Sequence, residues 1–320
     1  MIYFFLFLLL LILEILYFKI ANHYNIIDKP NLRSSHTTIT LRGGGILFPI
    51  AIVIASIVGK LPWTVSIAVL LVAVVSFVDD IKPLSQLPRF ASHLAAVLLV
   101  FYETHFLSES IFLILLVFVL FIGWINAFNF MDGINGITVL YVLVALSSFA
   151  LLPSNKELLP LLIIIGLSAL VFSFFNVRKK AKTFAGDVGS ISMALFLGYL
   201  MLQTLLDTQQ LGFLLFFAIY GIDAIITILI RLKRKENIFE AHRSHLYQYL
   251  ANECRYSHLA VSFGYALTQL VVNITLIYLD SIQVLSLTAT LSILILLVVM
   301  YVIIRYFVWK FFYLNKLKID

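Results

Sequence analysis

The chain has 320 residues, of which 62% are hydrophobic and 12% are charged. Its mean hydropathy of +1.06 is far above that of a soluble globular domain. This composition excludes a soluble or disordered protein and predicts one embedded in lipid. The net charge of +6 is explained by membrane topology, so it does not indicate nucleic-acid binding. The single cysteine, Cys254, excludes an internal disulfide and a multi-cysteine metal site.

Eleven apolar stretches recur between short polar breaks, and each approaches the roughly 20 residues that a helix needs to cross a bilayer. They predict an all-α integral membrane protein with about eleven transmembrane helices, in which residues 1–320 form one polytopic domain. The second and fourth stretches are short enough to be re-entrant or tilted. The stretches are 1–21, 45–59, 62–78, 91–105, 109–125, 136–153, 158–175, 190–206, 210–230, 259–279 and 284–308.

Lysine and arginine are concentrated in alternate loops. With the N-terminus outside, one set of loops holds almost all of the basic residues, whereas the other set holds Lys60 and Lys156. The positive-inside rule then predicts that the basic loops and the C-terminus are cytoplasmic. The first stretch lacks a basic leader and a small-residue cleavage site, so we expect a retained helix rather than a signal peptide.

Unusual polar clusters lie in these predicted cytoplasmic loops. Arg42 precedes three glycines, which is typical of a phosphate-binding loop or of a flexible basic loop. Asp79 and Asp80 end the third stretch, where adjacent carboxylates indicate a functional site or a solvated helix end. Consecutive helical residues point about 100° apart, so these two aspartates are not expected to serve one ligand equally.

The loop after the fifth stretch repeats a polar side chain every third residue. On a helix, Asn126, Asn129 and Asp132 would form one stripe of oxygen ligands, which suits a hard cation, and Gly133 would open space beside it. Before the eighth stretch, Asp187 is placed to hold a metal. Ser190 is predicted to cap the following helix, whose free amides would favour a diphosphate.

The longest inner loop contains His242, Arg243 and His245. Two histidines at this spacing ligate zinc, bind phosphate or lie on solvated surface, and zinc is disfavoured because no cysteine or acidic partner is suitably spaced. Two further acids, Asp223 and Glu14, lie within apolar stretches. They indicate an ion path, or, for Asp223, hydrogen bonds that position a neighbouring helix.

Taken in order, these motifs resemble the polyprenyl-phosphate N-acetylhexosamine-1-phosphate transferase superfamily. The segment 28–36, the Arg42 loop and the histidine loop most resemble the bacterial branch that initiates O-antigen, capsule or teichoic-acid glycans. The resemblance implies a multi-pass enzyme of the inner (plasma) membrane with its active site in the cytoplasmic loops. It implies transfer of a sugar-1-phosphate, as N-acetylglucosamine or a deoxy N-acetylhexosamine, from a UDP-sugar to undecaprenyl phosphate. It is also compatible with a homodimer.

The resemblance further implies a role for each matching residue. Asp79, Asp80 and Asp187 would be catalytic, with Asp79 deprotonating or steering the lipid phosphate. Asp187 and Asn129 would hold Mg2+, for which Mn2+ would substitute. The implied substrate-binding residues are Asn135 and the backbone of Gly133 at the uracil, Arg42, His242, Arg243 and His245 around the diphosphate and sugar, and Asn126 and Asp132.

Two departures and three alternatives bear on this interpretation. Many relatives have aspartate where Asn135 stands, and the short histidine motif argues against a peptidoglycan precursor as substrate. A secondary transporter is the main alternative, although its site would lie near the midplane between repeats. The sequence after Gly133 does not supply the motif of CDP-alcohol phosphotransferases, and a non-enzymatic scaffold would not require ordered polar stripes.

Overall fold

The computed structural model describes residues 1–30, 35, 38–237 and 242–316, with side chains to residue 311. Two segments that the sequence singles out are only partly described. Residues 31–34 and 36–37, in and next to segment 28–36, and residues 238–241, just before His242, lie outside the described residues. The described chain is mostly helical. Its helices are α1 (Ile2–His23), α2 (Leu47–Ile57), α3 (Trp63–Ile81), α4 (Gln86–Glu103), α5 (Ile111–Phe130), α6 (Ile137–Leu151), α7 (Leu159–Asn176), α8 (Gly186–Thr208), α9 (Ala218–Lys233), α10 (Leu246–Gln248), α11 (His258–Ser281) and α12 (Leu287–Lys316).

Short irregular elements connect the long helices. Two antiparallel strands, β1 (Ile27–Asp28) and β2 (Thr40–Leu41), precede a 3-10 turn at Gly44–Ile46. The other 3-10 segments are Phe106–Ser108, Pro153–Leu158 and Leu211–Phe217, and α10 continues into a π turn at Tyr249–Glu253.

The predicted all-α architecture is confirmed. Within the described residues, eight helical segments are long and apolar enough to cross a membrane, and 44–57 and 137–151 are shorter apolar helices. The remaining long helix, α4, carries Arg89, Ser92 and His93 in its first half and is more polar. These features are consistent with a multi-pass membrane protein, while the count of eleven spans and the orientation stay predictions.

Helix α8 forms the centre of the bundle, and almost all of its side chains are buried. It packs against α2, α3 and α5. Small residues allow the closest approach, because a Cβ on Gly189 would lie 2.6 Å from the Cα of Gly45. Since the first turn of α8 is thereby pressed against the Gly44–Ile46 turn, the loop that carries Arg42 is held beside Asp187.

Candidate active site

The position of Arg42 is fixed by the short strand pair. Ile27 pairs with Leu41, and Leu41 also forms a parallel bridge with Thr183 just before α8. The hydroxyl of Tyr17 donates to the Arg42 carbonyl at 2.5 Å. The next residue, Gly43, has a φ of 82°, a left-handed conformation that favours glycine. The loop therefore turns sharply at the glycine run and directs Arg42 toward α3 and α8.

Asp80 occupies the N-terminus of α8, although it belongs to α3. Its carboxylate accepts hydrogen bonds from the backbone amides of Asp187 at 2.9 Å and Val188 at 3.0 Å. The helix begins at Gly186, four residues before Ser190, so the prediction that Ser190 caps the helix is wrong. A buried carboxylate at the positive end of the helix dipole satisfies these amides instead.

Two arginines join three aspartates in one ion-pair cluster. Arg42 contacts Asp80 at 2.7 Å and Asp187 at 3.5 Å. Arg89, from α4, contacts Asp79 at 3.2 Å and Asp187 at 3.3 Å. Burial opposes the charge of Arg42, but Asp80 and Asp187 together raise its pKa above the usual value. The cluster thus has three carboxylates for two guanidinium groups.

Asp79 and Asp80 have different partners, as the helical geometry predicts. The Asp79 carboxylate accepts from the Leu84 amide at 2.6 Å and pairs with Arg89, whereas Asp80 pairs with Arg42 and caps α8. Asp80 is therefore fully engaged in holding the site together. Asp79, unlike Asp80, contacts the segment that leads into α4 and the first turn of that helix.

The C-terminal turn of α5 lies against the first turn of α8. The Ser190 hydroxyl donates to Asn129 Oδ1 at 2.6 Å and to the Gly186 carbonyl at 3.1 Å. Asn126 instead donates to the Ile122 carbonyl of its own helix at 2.8 Å. Asn129 therefore contacts α8 through Ser190, which follows Asp187 in the same helix, whereas Asn126 has only a local contact. Because α5 ends at Phe130, the predicted helical stripe does not extend to Asp132.

Asp132 lies beyond the end of α5, in the turn that leads to α6. Its Oδ1 accepts from the Thr138 hydroxyl at 2.5 Å. Burial raises the pKa of Asp132 to about 6, although the hydrogen bond from Thr138 opposes the shift. At Gly133 an added Cβ would collide with the hydroxyl of Tyr247, which donates to the Phe130 carbonyl at 2.9 Å. This turn therefore packs directly against the segment after the histidine loop.

Asn135 is buried and holds a basic loop. Its side-chain amide donates to the carbonyls of Arg178 at 2.8 Å and Lys179 at 3.3 Å. Asn176 acts beside it, accepting from the Gly136 amide at 2.8 Å and donating to the Thr183 carbonyl at 2.9 Å. These two amides join the start of α6 to the loop that precedes α8.

A cleft of about 410 Å³ opens next to Asn135. Its wall includes three basic side chains, which are Lys179, Lys180 and Arg255. Phe184, Tyr256 and His258 add ring surfaces. The cleft therefore offers both cationic groups and flat rings to a ligand.

The histidine loop is brought to the same end of the bundle. The His242 and His245 rings lie 4.8 Å apart between centroids, and the His242 ring lies 6.1 Å from that of Phe130 at the end of α5. Ser244 Oγ and His242 Nδ1 are 3.0 Å apart. Burial lowers the pKa of His242 to about 4, with nearby His245 adding to the shift, so His242 is neutral near pH 7. Arg243 lies between them and is half-buried.

The chemistry of the donor set near Asp187 would suit a magnesium ion that takes few protein ligands. Among the described residues, no three acidic, histidine or cysteine side chains are arranged as a complete metal site. Asp187 has the longer ion pairs of the cluster, and its side chain is 17% exposed. The amide oxygen of Asn129, which belongs to α5, lies beside the first turns of α8, where it accepts from Ser190. One carboxylate and one amide suit Mg2+, which keeps water and phosphate ligands.

Two of the groups that hold these residues in place, Arg89 and Asn176, were not predicted as site residues, whereas Asp223 was expected either to mark an ion path or to position a neighbouring helix. Arg89, Asn176 and Asp223 all contact candidate residues, and Asp223 organises the histidine loop from within α9. The available signals were an arginine in the basic loop before the fourth apolar stretch and an acid within a span. Neither signal identifies its partner, because the partners lie far away along the chain.

Residues 62–205 match the model of glycosyl transferase family 4. Among proteins with curated functions, none matches the chain. The matched range holds Asp79, Asp80, Asn129 and Asp187, whereas Arg42 and the histidine loop lie outside it. The match covers less than half of the chain, and together with the helical architecture it supports a likeness to multi-pass membrane glycosyl transferases. These findings give no support to the transporter alternative.

Proposed function

We propose that the protein transfers an N-acetylhexosamine-1-phosphate from a UDP-sugar to undecaprenyl phosphate at the cytoplasmic face of the plasma membrane. The sugar is N-acetylglucosamine or a deoxy N-acetylhexosamine, and the product starts a cell-surface glycan such as O-antigen. The observation that carries this proposal is the cluster of Asp79, Asp80, Asp187, Arg42 and Arg89, which four separate segments bring to one end of the membrane helices.

The reaction joins two anions, which explains the need for positive charge. An oxygen of the lipid phosphate attacks the sugar-bearing phosphorus, the bond from that phosphorus to the UMP oxygen breaks, and UMP leaves. Arg42 and Arg89 neutralise part of the phosphate charge at the site. Mg2+ held by Asp187 and Asn129, or Mn2+ in its place, would reduce repulsion and stabilise charge on UMP.

The remaining candidate residues have distinct roles in this proposal. Asp79 steers the lipid phosphate or accepts its proton, because it lies where α3 leads into α4 and is paired there with Arg89. Asp80 supports it by fixing Arg42 and α8. The cleft beside Asn135, with Gly133 nearby in the chain, takes the uridine. His242, Arg243 and His245 line the sugar phosphate from the other side, with Asp132 and Asn126 supporting the turn between α5 and α6.

The direct test is to incubate purified protein with undecaprenyl phosphate, Mg2+ and each of several UDP-N-acetylhexosamines. Release of UMP together with a lipid-linked sugar, only when lipid and metal are both present, is the expected result. If folded protein releases no UMP from any donor, the proposal fails for these donors, and uptake of labelled solutes into vesicles would test the transporter alternative.

The choice of sugar is tested separately by Arg243→Ala. Because Arg243 lies in the histidine loop, we expect a changed sugar preference or a KM raised about tenfold, with a smaller change in kcat. An unaltered sugar profile and KM would remove Arg243 from the sugar site.

A further inference from the structure

The carboxylate of Asp223 is completely buried in α9, yet it is surrounded by hydrogen-bond donors. The donors come from α9 itself, the histidine loop with α10, α11 and α12. They are Tyr265 Oη at 2.7 Å, Tyr301 Oη at 2.8 Å, the Leu246 amide at 3.0 Å, Thr227 Oγ1 at 3.2 Å, His245 Nδ1 at 3.3 Å and the Tyr247 amide at 3.5 Å. An ionised carboxylate accepts all of these bonds and donates none.

This arrangement determines which nitrogen of His245 carries a proton. Because the carboxylate is an acceptor, Nδ1 must carry hydrogen when it bonds to Asp223. The His245 side chain is 1% exposed, and its Nε2 is buried with no hydrogen-bond partner among the described residues. A buried polar atom without a partner is costly, so Nε2 is expected to meet a ligand.

Arg305 holds the histidine loop from α12. Its Nη2 donates to the Ser244 carbonyl at 2.7 Å, and its Nη1 donates to Tyr301 Oη at 2.6 Å. The Leu246 amide is held by Asp223 on the other side of His245. The backbone on both sides of this histidine is therefore attached to membrane helices, which limits movement of its ring.

We propose that Asp223 is a positioning residue of the active site, which fixes the ring and tautomer of His245 so that Nε2 meets a polar group of the bound sugar phosphate. This inference rests on the proposed function. Asp223 does not touch the substrate; it acts through His245, in the way that outer carboxylates orient functional histidines elsewhere. The role in positioning His245 explains why an acid is buried at residue 223, so a transporter function is not needed to explain it.

The test compares Asp223→Asn with two matched controls. Tyr301→Phe removes one hydrogen bond to the same carboxylate without removing the carboxylate, and Asp207→Asn neutralises an exposed aspartate. We expect Asp223→Asn to lower kcat/KM about 100-fold. Tyr301→Phe is expected to change it less than about threefold and Asp207→Asn to leave it unchanged, with UMP release as the assay.

A second readout does not depend on catalysis. Nitrogen NMR of 15N-histidine protein reports the protonation of each ring nitrogen, and the His245 signals are assigned by their loss in His245→Gln. We expect a protonated Nδ1 in the wild type, and altered His245 signals in Asp223→Asn but not in Asp207→Asn. If Asp223→Asn does not fold, Asp223→Glu provides the same comparison with the charge retained and the ring displaced.

Two results would overturn the inference. One is an unchanged His245 spectrum in the Asp223 variant. The other is a loss of activity that follows the melting temperature equally in the Asp223 and Tyr301 variants, because that pattern indicates a structural role alone. If the wild type does not release UMP, the proposed function fails, while the NMR comparison still decides whether Asp223 fixes His245.

Discussion

Asp187 differs from Asp80 in how closely arginine holds it. Its ion pairs of 3.3 and 3.5 Å are longer than the 2.7 Å pair of Asp80, and no helix amide occupies its carboxylate among the described contacts. In the proposed function, Asp187 is the carboxylate that would exchange an arginine for a metal ion. Asp80, by contrast, is committed to α8 and Arg42.

We therefore expect Asp187→Asn to abolish transfer, by at least about 1000-fold, while leaving the protein folded in detergent. Asparagine keeps the shape of the side chain but removes the charge that a divalent cation requires. Transfer is measured by UMP release across a Mg2+ titration, with Asp207→Asn as the control. Activity that returns to the wild-type level at high Mg2+ would show weaker metal binding rather than loss of catalysis.

Asp132 gives the protein a stability that depends on pH. Its pKa in the folded protein is about 6, above the ordinary value of 3.8, so burial favours the neutral form. Protonation therefore stabilises the fold, and this contribution is present below pH 4 and lost as the pH rises to about 6. The Asp132→Asn side chain does not ionise, so the variant should become more stable than the wild type as the pH rises from 4 to about 6.

We expect this relative gain to be about 1–2 kcal/mol at pH 7, allowing for solvent screening of a half-buried group. The measurement is thermal unfolding in detergent at pH 5 and pH 7.5 for both proteins. Asp207→Asn should show no such difference between the two pH values. A gap between wild type and Asp132→Asn that is equal at both pH values would contradict the assignment.

At the scale of elements, the contact between α8 and the Gly44–Ile46 turn depends on two glycines. An alanine at 189 would place its Cβ 2.6 Å from Gly45 Cα and 3.1 Å from Ala185 Cβ, so backbone must move. Gly166 is a matched control, since its added Cβ meets no atom within 4 Å. Both glycines lie within helices, where alanine is otherwise favoured.

Gly189→Ala should therefore destabilise the protein by about 1–3 kcal/mol, and Gly166→Ala should be neutral or stabilising by up to about 1 kcal/mol. Thermal unfolding of both variants measures the difference. The Gly189 variant should also lose transferase activity, because its backbone shift separates Arg42 from Asp187. Equal stability of the two variants would mean that α8 and the Gly44–Ile46 turn have room for a Cβ at residue 189, which would contradict the close contact between Gly189 and Gly45.

Much of the element pattern was predictable, since apolar stretches and polar loops follow local sequence. The predicted stretch 158–175 agrees closely with α7, and the polar motifs meet at one end of the bundle. Helix starts were less predictable, as shown by α8, which begins at Gly186. The cap that permits this start comes from Asp80, 107 residues earlier, and no local pattern identifies so distant a partner.

At the scale of the whole molecule, orientation is testable with the native cysteine. Cys254 is partly exposed and lies in the loop between α9 and α11, which the distribution of basic residues assigns to the cytoplasm. A membrane-impermeant maleimide should label it in inside-out vesicles and not in sealed right-side-out vesicles. Cys254→Ser should abolish labelling in both, and the reverse pattern would invert the topology.

The cap that Asp80 provides for α8 has a consequence for how the site is made. A growing chain inserts α3 well before α8, so Asp79 and Asp80 reach the membrane surface before the amides and the aspartate that complete their cluster exist. During synthesis, the carboxylates of Asp79 and Asp80 therefore lack part of their final set of partners until α8 is inserted. A chain released before Gly186 lacks Asp187 and the amides that Asp80 caps, so the ion-pair cluster is complete only after the central helix has joined the bundle.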